Sequence, residues 1–262
     1  MNHTIELLSA RKSVRAYKQK EINKKVKDAI FAATLRAPTA GNMMLYSIIE
    51  VTDQDIKDQL VKTCDNQPFI AKAPFVLLFL ADYQRWFDYF LLSGVQQLCE
   101  QKGTAMRKPK EGDLFLACCD ALIAAQTAVI AAESLGIGSC YIGDIMENYE
   151  THKTLFELPE YVFPITMVCF GYPPRQQRDR ALTQRFDKKY IIFENHYRRF
   201  EKEAFNEMVC KRQTQMFGTR EEIKGARNVG QMMYQRKFDA DFAHEMNRSV
   251  QAMLQAWVKE KP

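Results

Sequence analysis

The sequence predicts an α+β protein in which short strands form one sheet and long helices flank it. Apolar runs of strand length occur at Leu45–Val51, Ala73–Ala81 and Ile165–Tyr172, and a long alanine-rich segment covers Leu114–Leu135. These elements do not follow the regular strand–helix alternation of a parallel α/β sheet. With 47% apolar residues in 262, the chain can bury a large core.

The N-terminal part of the chain supplies one helix and two strands. Ile22–Leu35 is amphipathic, with lysines between its apolar residues and Pro38 marking its end. Leu45–Val51 is typical of a strand and is followed by Asp53. Ala73–Ala81 is an almost continuous apolar run, so we expect a central strand that is buried on both faces.

The segment Leu114–Leu135 is the longest apolar stretch of the chain. It carries Asp120 and Glu133 as its charged residues, and these make a membrane span a poor interpretation. We expect instead a helix that is buried in the core or against a second subunit. Gly136 follows it, as glycine commonly follows a helix C-terminus.

The remaining elements lie in the C-terminal half. The predicted strands are Ser139–Ile145 and Ile165–Tyr172, the predicted helices are Phe200–Met216 and Ala240–Val258, and Arg175–Lys189 is a basic loop. No internal repeat or low-complexity linker divides the chain. We therefore expect one domain over residues 1–262, with a helical C-terminal extension over about 195–262.

Charge and composition exclude several classes of protein. A formal charge of +5 is mild for this length, and without a lysine-rich block interleaved with aromatic residues we expect no nucleic-acid partner. The N-terminus lacks a signal-peptide pattern, so we expect a cytoplasmic protein without a membrane anchor. Seven cysteines without a C-x-x-C pair predict reduced thiols, and four dispersed histidines predict no metal site.

A candidate anion site lies near the N-terminus, where Arg11, Ser13 and Arg15 alternate in R-K-S-V-R. Alternate side chains of an extended segment point the same way, so the three would converge on one anion, most economically a phosphate. For such a cluster alone, a solvated basic turn is the other interpretation. A second polar sequence, R-A-P-T-A-G-N over residues 36–42, follows the first helix.

The glycine-rich sequence G-I-G-S-C-Y-I-G over residues 136–143 is not a dinucleotide fingerprint. Its spacing differs from G-x-G-x-x-G, and its first glycine follows a helix instead of a strand. Gly143 and Asp144 can present bare backbone N–H groups to a ligand. Because no nucleophile constellation is visible, a bound cofactor is the expected source of any chemistry.

Together these segments resemble the nitroreductase superfamily of FMN enzymes, in particular its NADPH-dependent nitroreductases and flavin reductases with a long C-terminal extension. R-K-S-V-R is similar to the family's opening R-x-S-x-R/K, and A-P-T-A-G-N to its A-P-S/T-x-x-N loop. The sequence A-A-E-S-L-G-I-G-S-C-Y-I-G resembles its central helix and following strand. F-G-Y-P and R-F-D-K-K-Y-I-I-F-E-N-H-Y resemble its last strand and its phosphate arginine with the trailing segment.

The resemblance implies a nitroreductase-like fold with a central, mostly antiparallel mixed sheet, and an FMN at a homodimer interface. Arg11, Ser13 and Arg185 would hold the FMN phosphate, and Arg15 would lie near N1 and O2 of the ring. The implied FMN contacts are Arg11, Lys12, Ser13, Arg15, Pro38, Thr39, Asn42, Gln67, Ile142, Gly143, Asp144 and Arg185.

Individual roles within this set also follow from the resemblance. Thr39 and Asn42 would line the ribityl chain and the ring edge, and Gln67 would bond the pyrimidine edge. The backbone at Gly143 and Asp144 would face N5.

The chain departs from the family pattern at two places. Met43 and Met44 stand where many members have glutamine, and Thr183 stands where lysine is frequent. Arg178 or Arg180 is the alternative source of the second phosphate charge.

The implied activity is hydride transfer from NADPH or NADH through FMN to nitroaromatics, quinones or free flavin, in a ping-pong cycle. Arg220, Lys224 and Arg227 could meet a 2′-phosphate, although a solvated helix face is the favoured interpretation, so NADPH is preferred by resemblance alone. A protein that stores, senses or breaks down flavin is the alternative function. A basic nucleic-acid-binding protein is a weaker third.

Overall fold

The computed structural model describes residues 2–258, which form two compact units. The first unit comprises the residues up to Arg180 together with those from Glu245 onward, and the second spans Ala181–His244. All the predicted FMN contacts except Arg185 therefore belong to the first unit.

Eleven α-helices and four strands are found among residues 2–258. The helices are α1 (His3–Ala10), α2 (Lys24–Thr34), α3 (Gln54–Thr63), α4 (Gln84–Leu92), α5 (Val95–Gln101), α6 (Glu111–Ser134), α7 (Tyr149–Leu155), α8 (Arg175–Arg178), α9 (Lys202–Phe217), α10 (Val229–Met233) and α11 (Asp241–Val258). The strands are β1 (Tyr46–Glu50), β2 (Phe75–Asp82), β3 (Gly138–Ile142) and β4 (Val162–Gly171).

The strands form one sheet in the order β1-β2-β4-β3, and all neighbours are antiparallel. Ser13 adds a parallel bridge to Ser139 on the free edge of β3. The predicted α+β class with a mostly antiparallel sheet is confirmed.

The inner strand β2 is buried along its whole length. Phe75 and Leu77 pack with α6 on one face, and Val76 and Leu78 pack on the other face in the cluster that includes Leu60 of α3. Successive side chains of a strand point to opposite faces, so both faces of β2 must be apolar. This explains the continuous apolar run in the sequence.

The central helix α6 packs on the sheet through small residues, including the fully buried Ala121, Ala124 and Ala128. It is the one helix of the described chain that by length and apolar composition could cross a membrane, and 44% of its apolar window is buried inside the fold. The predicted burial in the core is confirmed for this face.

Some element boundaries differ from the prediction. β3 ends at Ile142, and Gly143–Met146 forms a 3-10 turn instead of continuing the predicted strand. Helix α3 is also missing from the prediction. The Asp53 side chain accepts a hydrogen bond from Ile56 N and caps α3, so Asp53 starts a helix as well as ending a strand.

The second unit has its own small core, formed by Phe217, Ala226, Val229 and Met232. The connection between α9 and α10 carries Arg220, Lys224 and Arg227. Their interpretation as a helix face is wrong, because a glycine with positive φ at residue 218 follows α9 and the chain then turns back on itself, with Ile223 and Ala226 paired in an antiparallel bridge.

Candidate functional site

The N-terminal segment Arg11–Arg15 runs extended along the edge of β3. Val14 N donates to Ser139 O at 2.8 Å, and the Val14 side chain is buried against Gly138. A Cβ on Gly138 would lie 2.5 Å from a methyl of Val14, so this close approach requires glycine. Because the Val14 side chain points inward, the side chains of Arg11, Ser13 and Arg15 point in the opposite direction, as predicted.

The side chains of Arg11, Ser13 and Arg15 meet around the thiol of Cys140. Burial raises the pKa of that thiol, and the charges of Arg15 and Arg11 together with a hydrogen bond from Ser13 offset part of the rise. Arg11 also faces Glu133, whose pKa is raised by burial and lowered in part by this guanidinium. The structure thus brings the three predicted anion ligands together.

Lys12 points away from this group. Its Nζ donates to the backbone oxygens of Arg178, at 2.8 Å, and Arg180. In return, the Arg180 guanidinium donates to Ser13 O at 2.6 Å. The segment after β4 and the N-terminal segment therefore hold each other in place, and the polar hydrogens of Lys12 are largely committed to carbonyls.

The polar loop over residues 36–42 turns sharply at Gly41 and Asn42, with φ of 56° and 57°. Asparagine tolerates this left-handed region better than most residues. The Thr39 hydroxyl accepts from Met44 N at 3.2 Å, whereas Pro38 and Asn42 are exposed. The loop thus presents predicted ligand-binding residues from a fixed turn.

Three residues outside the predicted set of FMN contacts hold this loop in place. Asp120 of α6, which is 2% exposed, accepts from Ala40 N at 3.0 Å and from Leu45 N at 3.1 Å. Arg85 donates to Met44 O at 3.2 Å and Trp86 to Met43 O at 2.6 Å. The carboxylate inside an otherwise apolar helix was the sequence signal for the first of these.

Gln67 and Asp144, which are 77 residues apart, are in direct contact. The Gln67 Nε2 donates to Asp144 Oδ2 at 2.7 Å and to Cys64 O at 3.1 Å. Both amide hydrogens face acceptors, so Oε1 is the atom left to accept from a ligand. The contact of Gln67 with the pyrimidine edge of the flavin stays a prediction, and a free Oε1 would suit an N–H on that edge.

The turn after β3 leaves Gly143 exposed, and a Cβ built there would meet no atom within 4 Å. Its backbone is open to a flat ligand. The Ile142 side chain is 1% exposed and packs in the core, so the predicted contact at this position is restricted to its backbone.

Arg185 lies in the second unit. It lines a cavity of about 190 Å³ together with Thr183, Gln184, Phe186, Met208 and Arg212. Two guanidinium groups at one cavity suit an anion. The joint action of Arg185 with Arg11 and Ser13 on one phosphate stays a prediction.

Comparison with known proteins decides the family. The sequence profile described as "Nitroreductase family" matches residues 8–172. This chain belongs to the nitroreductase family. The match covers the N-terminal segment, the polar loop, Gln67 and the turn after β3.

Individual relatives agree with this assignment. The chain is 30% identical to an oxygen-insensitive NADPH nitroreductase of Salmonella typhimurium over 75% of each chain, and 31% identical to an FMN reductase (NADPH) of Bacillus subtilis over 75% of each. Among solved structures, NfrA2 of B. megaterium superposes with a TM-score of 0.80, at 25% identity and with all of both chains covered.

Proposed function

We propose that this nitroreductase family member binds FMN and transfers hydride from NADPH or NADH to nitroaromatics, quinones or free flavin. The observation that carries the proposal is the convergence of Arg11, Ser13 and Arg15 beside β3. Two relatives of the chain carry names that specify NADPH, and one of these names also specifies FMN.

The residues present fit an FMN. The parallel bridge between Ser13 and Ser139 places Arg15 level with Tyr141, two residues before Gly143. Each residue of an extended chain spans about 3.3 Å. The Arg15 side chain and the exposed backbone at Gly143 therefore lie within the length of one three-ring flavin system. Gln67 adds an acceptor for a ring N–H.

A bound FMN would supply hydride transfer at its N5. The exposed Arg15 guanidinium would oppose the negative charge of a reduced ring, and the exposed Gly143 turn would leave room for nicotinamide and then for an oxidant. Arg11 and Ser13 would hold the phosphate by charge-assisted hydrogen bonds, and Arg185 is the further phosphate ligand that the resemblance implies. Lys12 and Arg180 keep the N-terminal segment in place.

We further propose a homodimer. The outer face of α6 exposes an apolar stripe of Phe115, Leu116, Leu122 and Ile123. These residues recur at a seven-residue spacing, so they share one side of the helix. A contiguous apolar stripe of this kind marks an interface with another protein surface, here a second copy of the chain. A cytoplasmic location would give the enzyme access to NAD(P)H.

Anaerobic mixing followed by turnover assays tests the activity. The protein loaded with FMN is expected to lose its flavin absorbance on addition of NADPH and to regain it with a quinone or nitroaromatic. A protein that stores, senses or breaks down flavin would bind FMN without steady consumption of NADPH, and this outcome would overturn the proposal.

A further inference from the structure

Glu147 is a buried carboxyl group beside the predicted flavin contacts. It follows the 3-10 turn that begins at Gly143, and its backbone N–H donates to Asp144 O at 3.0 Å. The residue is 5% exposed, and its Oε1 has no hydrogen-bond partner within the described part of the chain. Burial of an ionised carboxylate without a partner for one of its oxygens costs far more free energy than burial of the protonated, neutral carboxyl group.

The titratable groups that face the Glu147 side chain are Asp144, Asp65 and Glu245. Arg248, on the same helix as Glu245, directs its guanidinium at Glu245 and at Glu150, at 2.8 and 2.9 Å. His152 packs against the Glu147 backbone with its ring bonded to Ile145 O and Thr63 Oγ1. Burial lowers the pKa of His152, which disfavours the charged form of this ring.

The carboxyls of Glu147 and Asp144 lie within hydrogen-bonding reach of each other. Such a pair forms its hydrogen bond only when one carboxyl is protonated, because two adjacent carboxylates repel. Burial first, and then the neighbouring acidic groups, raise the pKa of Glu147 to about 8. At neutral pH the Glu147 carboxyl therefore keeps its proton.

We propose that Glu147 is a positioning residue, which shares one proton with Asp144 and so keeps the Gln67 amide turned with Oε1 toward the flavin. The proposal rests on the proposed function. Asp144 can accept from Gln67 Nε2 at 2.7 Å while it also accepts the proton of Glu147. Loss of that proton puts two carboxylates in contact, drives Asp144 away from Glu147 and releases the amide.

The consequence is a pH-dependent affinity for FMN. Because the bound state favours the protonated pair, the dissociation constant rises above about pH 8 by up to about tenfold per pH unit, the limit for one linked proton. Glu147→Gln carries no titrating proton and can keep a hydrogen bond to Asp144. Its affinity for FMN is expected to follow a flat profile over the same range.

The test titrates FMN into the apoprotein by quenching of flavin fluorescence from pH 6.5 to 9.5. Wild-type protein, Glu147→Gln and the exposed control Glu157→Gln are compared, so that ionisation of FMN itself affects all three equally. The proposal is supported if the dissociation constant for FMN rises at alkaline pH in the wild type and in Glu157→Gln but not in Glu147→Gln. Parallel profiles in all three would overturn it.

Infrared spectroscopy of the apoprotein gives a second measurement without FMN. A protonated-carboxyl C=O stretching band that is present at pH 7, lost near pH 8 and missing in Glu147→Gln supports the shared proton, and its absence from the wild type overturns it. If Glu147→Gln fails to fold, Asp144→Asn should move the band's transition to lower pH, and an unmoved transition counts against the pair.

A wild-type apoprotein that takes up no FMN at pH 7 would overturn the proposed function and the effect on flavin. The infrared band would then still decide whether Glu147 and Asp144 share a proton.

Discussion

Asp120 and Leu45 are joined by a hydrogen bond of 3.1 Å from the backbone N–H of Leu45 to the buried carboxylate. The second oxygen of the same carboxylate accepts from Ala40 N. One side chain of α6 thus fixes both ends of the turn that presents Thr39 and Asn42. The position of this turn is set by the central helix, not by the loop sequence alone.

Asp120→Asn should loosen that turn. An asparagine side chain has one oxygen, so one of the two backbone N–H groups would face an amide NH₂ and lose its acceptor. We expect a loss of about 1–3 kcal/mol in the free energy of unfolding, together with weaker FMN binding. Urea denaturation and FMN titration measure both. Glu111→Gln, an exposed change on the same helix, is the control, and equal stability of the two variants would contradict the role of Asp120.

Arg15→Ala should act on reduction more than on binding. The side chain is exposed, and its proposed partner is the charge that appears when the flavin is reduced. We expect NADPH to bleach the bound FMN roughly tenfold to a hundredfold more slowly, with a nearly unchanged affinity for oxidised FMN. Stopped-flow spectroscopy measures the rate. Lys18→Ala serves as the control for charge, and bleaching of Arg15→Ala at the wild-type rate would refute the assignment.

Arg185→Ala should instead affect FMN retention. A phosphate that loses a charge-assisted hydrogen bond loses about 1.5–3 kcal/mol of binding free energy, which corresponds to roughly a tenfold to 150-fold rise in the dissociation constant. Lys211→Ala removes a positive charge from the same unit and should have little effect. Equal FMN affinities in the two variants would remove Arg185 from the phosphate site.

The sequence predicted the features that depend on local periodicity. The two-sided burial of β2 follows from an uninterrupted apolar run, and the common direction of Arg11, Ser13 and Arg15 follows from alternation. The contacts that hold the site in place could not be predicted from local periodicity, because they join residues that are far apart in the sequence. Arg180 reaches Ser13 across 167 residues.

Two further differences between prediction and structure have local causes. The sequence predicts that β3 extends to Ile145, because the apolar residues of the 3-10 turn resemble those of a strand. Glu147 gave no signal at all, since an acidic side chain after a turn is usually solvated, whereas here it is buried.

The stability of the protein should depend on pH through Glu147. Its pKa in the folded chain is about 8, above the ordinary 4.5 expected when unfolded. Between these values the unfolded chain has lost a proton that the folded chain keeps, so the contribution to stability is full below 4.5 and is lost as the pH rises to about 8.

As the pH rises from 5 to 8, the free energy of unfolding of Glu147→Gln is therefore expected to increase relative to that of the wild type. The expected increase is on the order of a few kcal/mol, since one pKa unit corresponds to about 1.36 kcal/mol. Denaturant unfolding at both pH values measures the difference, with Glu157→Gln as the exposed control. A constant difference between wild type and Glu147→Gln would show that this carboxyl ionises normally.

The apolar stripe on α6 should hold two copies together. Leu122→Glu places a charge in the middle of the stripe, where burial against a partner would leave it without an ion pair. We expect monomers in sedimentation experiments at concentrations where the wild type is dimeric. Gln126→Glu, at the polar end of the same exposed face, is the milder comparison. A dimer that survives Leu122→Glu would place the interface elsewhere.

Quantification of the flavin released by denaturing the purified protein tests the central claim most directly. After incubation with FMN and removal of the unbound cofactor, the account predicts close to one FMN per chain in the wild type, and a clear loss when Arg11 and Arg185 are both replaced by alanine. A wild-type protein that retains no FMN, or a double variant that retains it fully, would contradict the account.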